Sequence, residues 1–91
     1  MSMEATDLSR SDMRWSVERR LEFIEFRLFW EGRINRSDVM GLFGISAPQA
    51  SADIKRYQDL ASGNMHYSAQ RKCYLANSNF SPAISRPNAH E

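Results

Sequence analysis

Apolar residues recur at helical spacing in WSVERRLEFIEFRLFWE, residues 15–31, where Val17, Leu21, Ile24 and Leu28 follow one another at intervals of four, three and four with no Gly or Pro between them. The pattern predicts a helix with one core-facing stripe. Phe23, Phe26 and Trp30 fall roughly opposite that stripe on a helical wheel, giving the helix a second apolar face. That face requires a partner, because a small domain rarely leaves two Phe and a Trp together in water. The preceding MSMEATDLSRSDMR has no apolar periodicity and predicts a flexible N-terminal arm over residues 1–13, with Ser11 or Asp12 as the helix cap.

Gly32 and Arg33 end this helix, and Ile34 reads as an apolar staple. Asn35 and Asp38 then form an N-cap pair for a short helix, residues 36–43, whose buried side is Val39, Leu42 and Phe43. Gly44 stops it. Ser46 and Gln49 make a capping box for a third helix over about residues 47–59, with Pro48 tolerated in the first turn and Ala50, Ile54 and Tyr57 facing inward. Residues 65–67 and 72–76 have strand content and predict a hairpin, and the Ser-, Pro- and Asn-rich residues 78–91 read as a linker or disordered tail. Helix, short helix, turn, helix and hairpin in that order define a mainly α winged helix-turn-helix over residues 14–77, three helices plus a wing.

Length and charge sharpen this picture. A chain of 91 residues with a formal net charge of +1 holds one small domain, and its bulk charge selects neither nucleic acid nor membrane. The distribution is uneven. Residues 1–32 carry five basic and seven acidic side chains, whereas residues 33–72 carry six basic and three acidic. The positive excess falls on the helix-turn-helix and hairpin. No apolar run is long enough to span a bilayer, no basic-apolar leader is present, and the single Cys73 allows no intrachain disulfide, so a cytoplasmic location is expected.

Small side chains near the start of the third helix let its backbone approach base edges. Ser51 can exchange a hydrogen bond with a base, Ala52 can touch a thymine methyl, and Gln49 is long enough for the N6 and N7 of adenine. Arg36 and Ser37 at the start of the second helix, Ser46 in the turn, Lys55 and Arg56 one turn on, and Arg71 and Lys72 at the wing tip complete a candidate DNA-binding set. Any one of the basic residues alone is ordinary surface charge. Their convergence on one topology gives them a shared role. His66, Cys73 and His90 lack ligand spacing, no Gly-rich phosphate loop occurs, and no nucleophile is paired with a base. The expected protein is therefore not an enzyme and uses no metal or cofactor. Its alternative role is a winged-helix protein-interaction or dimerisation module using the Phe23/Phe26/Trp30 face.

RRLEFIEFRLFWEGRINRSDVMGLFGISAPQASADIKRYQDL, residues 19–60, with the downstream RKCYLANSNFSPAI, resembles the N-terminal winged helix-turn-helix of WYL-domain transcriptional regulators, and within them the repressors of bacterial anti-phage defence islands of BREX and CBASS type. FWEGRINRSD and FGIS-PQAS-D carry the likeness. The turn and third helix also resemble the DeoR-type pattern at Ser46, Asp53 and Ile54, whereas Gln49 stands in place of its Thr and Ser51-Ala52 in place of its two arginines. The resemblance implies a homodimer in the full-length context that binds a palindromic double-stranded operator, represses transcription and associates with the nucleoid when bound. It also implies a following ligand-sensing WYL domain and a dimerisation region, neither of which 91 residues can hold, so the chain is expected to be a fragment or a short relative.

Overall fold

Helix α1 runs from Ser2 to Glu31 in a computed structural model that describes residues 2–84, with side chains from residue 15 to residue 84. It is followed by β1 (Arg33–Ile34), α2 (Arg36–Phe43), α3 (Ala47–Leu60), β2 (Met65–Ser68) and β3 (Cys73–Ala76). Where the sequence predicts an arm over residues 1–13, the backbone is already helical from Ser2, and Ser11 and Asp12 lie inside the helix rather than capping it. No Gly or Pro occurs in residues 2–31 to interrupt the backbone ladder, so lack of periodicity does not end the helix.

The predicted stripe on α1 is the core. Leu21, Ile24 and Leu28 are buried with Ile34, Val39, Ala50, Ile54, Tyr57 and Met65, and Val17, Phe43, Ile45, Phe80 and Ile84 pack around them. Asn35 caps α2 through a complete box: its side chain accepts from the Asp38 amide at 3.0 Å, and the Asp38 carboxylate accepts from the Asn35 amide at 3.0 Å. Gly44 ends α2 in the left-handed region, φ 64° and ψ 39°, which suits a residue without Cβ. Leu42 departs from its expected buried place and is 61% exposed, because the inward side of so short a helix is taken by Val39 and Phe43.

The wing has a third strand. β1 joins the expected hairpin in a sheet of order β1-β3-β2, with Ile34 opposite Tyr74 in one antiparallel ladder and Tyr67 opposite Tyr74 in the other. Gly32 serves both elements: at φ 78° it ends α1, and its carbonyl accepts from the Ala76 amide at 2.9 Å. Lys72 closes the hairpin turn at φ 58°, its amide donating to the Ser68 carbonyl at 2.7 Å.

The linker expected from residue 78 is not a loose end as far as residue 84. Buried Asn64 donates to the Ser81 carbonyl at 2.8 Å and accepts from the Ser81 amide at 3.0 Å. Buried Glu25 accepts from the Ala83 amide at 2.8 Å and from the Ile84 amide at 3.0 Å. Phe80 and Ile84 meanwhile pack on the core, so residues 78–84 form a strap across α1. The remainder of the expected tail, with His90, lies outside the described residues.

Candidate nucleic-acid interface

Helix α3 divides cleanly between an inner and an outer side. Ala50, Asp53, Ile54 and Tyr57 are buried, whereas Pro48, Gln49, Ser51, Ala52, Lys55 and Arg56 are exposed. The inward set holds two polar side chains, and each is tied to α1. Arg20 pairs with Asp53 through its Nε, and its Nη2 donates to Asp53 Oδ1 at 3.4 Å. The Tyr57 hydroxyl donates to Glu25 at 2.7 Å and accepts from the Asn64 amide at 3.0 Å. Burial, together with the Glu25 hydrogen bond, pushes the Tyr57 hydroxyl pKa up. The helix that faces outward is thus fixed in rotation by charged and polar partners 32 and 33 residues away.

At its N-terminus, the Ser46 hydroxyl accepts from the Gln49 amide at 3.3 Å, which is half of the expected capping box. The reciprocal half is replaced. The Gln49 side chain turns toward the helix's next turn and donates from Nε2 to Asp53 Oδ1 at 3.1 Å, a charge-assisted bond formed in place of the one its carbonyl oxygen would accept from the Ser46 N–H.

The predicted contacts separate into groups. Arg36 reaches from α2 to α3, donating from Nη1 to the Ser51 hydroxyl at 3.3 Å, and both line a small cleft with Ile54, Tyr67 and Tyr74. That cleft joins α2, α3 and the wing. Ser37 donates to the Asn35 cap. Ala52 and Lys55 occupy the outermost part of α3, with Lys55 3.8 Å from Asp59 across an exposed i, i+4 pair. Arg56 lies on the other flank, lining a groove with Glu18 and Glu22 of α1. Arg71 and Lys72 are exposed on the wing turn, where the Arg71 amide donates to the Ser68 hydroxyl at 3.1 Å.

The second apolar face of α1 is redrawn. Phe23 packs edge-on to Phe43, ring centres 5.6 Å apart, and belongs to the margin of the core. Phe26 and Trp30 are exposed at 52% and 68%, and Phe29 joins them: it contacts Trp30 at 4.9 Å and Phe80 at 6.0 Å. Arg20, Tyr67 and Tyr74 are the residues that sequence reasoning missed. The two tyrosines sit opposite one another in the hairpin ladder with rings 5.0 Å apart, a pairing that the hairpin register contains. Among the described residues no group of His, Cys, Asp and Glu is placed to hold a metal ion, and no helix is long and apolar enough to cross a membrane.

Residues 16–91 match the BrxR transcriptional regulator winged helix-turn-helix domain. The chain is 52% identical over 79 residues to the DNA-binding transcriptional repressor CapW of Stenotrophomonas maltophilia, an alignment covering 87% of this chain and 26% of the relative. It is 48% identical over 77 residues to the repressor of the same name in Pseudomonas aeruginosa, covering 85% and 26%. With the Escherichia coli protein it shares 48% over 73 residues, covering 80% and 24%. The chain thus spans about a quarter of the length of these relatives.

Proposed function

Because the chain belongs to the BrxR winged helix-turn-helix family, we propose that it is the sequence-specific DNA-binding part of a cytoplasmic transcriptional repressor, without catalytic chemistry. One observation carries this reading: Arg36 of α2, Ser51 of α3 and Tyr67 and Tyr74 of the wing meet at one cleft beside the small, exposed outer side of α3. Helix, basic side chain and wing there face the same space, as docking in a major groove requires. Ser51 and Ala52 let the α3 backbone approach base edges, while Gln49 reads a base at the helix N-terminus. Arg36, Ser37, Ser46, Lys55 and Arg56 hold phosphates, and Arg71 and Lys72 follow the backbone from the wing. In a longer homodimer, two such helices about one duplex turn apart read an inverted repeat.

Selection of bound duplexes from a random library tests the reading. An enriched half-site whose recovery depends on Ser51 and Arg36 supports it, and the absence of any enriched sequence removes it.

A second reading is favoured by the exposed Phe26, Phe29 and Trp30, which suit protein docking rather than DNA. Salt separates the two. Binding through phosphates loses roughly 0.9 in log K per neutralised phosphate for each tenfold rise in salt, whereas an apolar contact changes little.

A further inference from the structure

We propose that the outer face of α1 pairs antiparallel with the same face of a second copy of this chain, setting Trp15 against Phe26 and Arg19 against Glu22 in both directions. The inference names the partner for the apolar face of the second reading and does not depend on DNA binding.

Trp15, Arg19, Glu22 and Phe26 follow one another on α1 at intervals of four, three and four, so they form one stripe along the helix. All four are exposed, whereas Leu21, Ile24 and Leu28 on the other side are buried. The Arg19 guanidinium lies over the Trp15 ring, 4.7 Å from its centre. Among the described residues neither Arg19 nor Glu22 has an ion-pair partner. The stripe thus carries an aromatic residue at each end, about 16 Å apart at the helical rise, with one positive and one negative charge between them.

The order of these groups selects the partner. The intervals from Trp15 to Arg19 and from Glu22 to Phe26 are equal, so the antiparallel register that brings Trp15 to Phe26 also brings Arg19 to Glu22. Two-fold symmetry then repeats both contacts. Sliding one helix by a heptad sets Glu22 against Phe26 and Arg19 against Phe29, and a parallel pair opposes like charges. Beside Phe26 the stripe borders a groove lined by Phe23, Leu42 and Phe43, which offers an incoming Trp15 ring apolar surface on a second side. The rings supply most of the attraction and the charges set the direction, because exposed ion pairs contribute little. A contact of about three helical turns falls at or below the roughly 1,200 Å² of a stable interface, so the chain pairs weakly. None of the stripe residues lines the cleft of Arg36 and Ser51. Pairing and DNA docking therefore use separate surfaces.

Sedimentation equilibrium of the 91-residue chain from about 10 μM to about 1 mM tests the pairing, and a reversible monomer–dimer equilibrium is expected in that range. Arg19→Glu or Glu22→Arg alone opposes like charges at both contacts and is expected to weaken pairing about tenfold. The combined Arg19→Glu/Glu22→Arg variant exchanges the charges and restores it. An equimolar mixture of the two single variants restores it as well, since one copy then presents two acids to two bases of the other. Trp15→Ser and Phe26→Ser are each expected to weaken pairing by about tenfold or more. Circular dichroism of the charge variants should match the unaltered chain, because positions 19 and 22 are exposed. A chain that stays monomeric throughout, charge variants that associate as the unaltered chain does, or a mixture no better than its components overturns the inference. A monomeric chain leaves the apolar face to a different protein, so the docking reading and the identity of its partner fail separately.

Discussion

Toward α1, the recognition helix is held by buried charge: Asp53 by Arg20, and Tyr57 by Glu25, with Asn64 behind it. Toward α2 and the wing the same helix shares an apolar core with Val39 and Met65, and its polar link there is a 3.3 Å bond between two exposed side chains, Arg36 and Ser51, beside a small cleft. The polar groups of the first flank cannot be left alone out of water, whereas those of the second are groups that water satisfies at no cost. A helix that must present its outer face at a fixed angle benefits from a specific inner flank. A face that must adapt to a duplex benefits from a loosely held outer one. Buried ion pairs are poor sources of net stability, yet removing one partner is strongly destabilising because it leaves the other charge buried and uncompensated.

The contrast breaks most visibly at Arg20. Arg20→Ala leaves the Asp53 carboxylate buried without its cation and is expected to cost about 3–5 kcal/mol in denaturant unfolding. Replacing both partners by apolar residues of similar volume should recover most of that loss, and a double replacement as damaging as the single one would show that the pair itself supplies stability.

Next in size is Tyr57. Tyr57→Phe removes the hydroxyl shared by Glu25 and Asn64 and is expected to cost about 1–3 kcal/mol. Its pH signature follows from the raised pKa. The folded state keeps the phenol protonated while the unfolded chain loses that proton near pH 10, so this contribution is present below about pH 10 and is lost as pH rises above it. Unfolding curves from pH 8 to 11 should show the native protein losing stability relative to Tyr57→Phe, and parallel curves would contradict the assignment.

On the open flank the effects move from stability to binding. Arg36→Ala and Ser51→Ala are expected to shift unfolding free energy by no more than about 0.5 kcal/mol. Arg36→Ala should also lower the salt slope of DNA binding by about 0.9, as one phosphate contact is lost. A large stability loss here would erase the difference between the flanks. The smallest effect is expected at Lys55: its pairing with Asp59 contributes about 0.3–0.5 kcal/mol at most, so Lys55→Ala should weaken all duplexes alike while leaving thermal unfolding nearly unchanged.

What the sequence made legible was local. The Val17, Leu21, Ile24 and Leu28 stripe and the Asn35 and Gly44 caps rest on local spacings, and the hairpin is expected from two short strand-like segments without its register. The two-residue β1 is too short for alternation to show, and residues 2–14 are helical without a stripe to mark them. The pairing of Arg20 with Asp53 joins residues 33 apart, and nothing in either local pattern separates them from surface charges. Gln49 is affected indirectly: its spacing from Ser46 suggests a capping box, but its side-chain N–H goes to Asp53 four residues on, a carboxylate whose pairing with distant Arg20 no local pattern shows. Phe29, whose neighbours Trp30 and Phe80 form a cluster only once the strap is folded back, could not be distinguished from the charge rows of the helical wheel.

The strap has a consequence for the order in which the molecule assembles. Glu25 meets the amides of Ala83 and Ile84 across 58 and 59 residues of chain, a closure whose entropic cost grows with the logarithm of the intervening length. The α2–α3 pair and the hairpin, joined by short connections, can form before it. Ala83 and Ile84 are therefore expected to dock last and to release first, so that in hydrogen exchange their amides lose protection ahead of the Ala50 amide within α3. A domain that releases its strap in this way retains α2, α3 and the hairpin while the buried carboxylate of Glu25 takes up water.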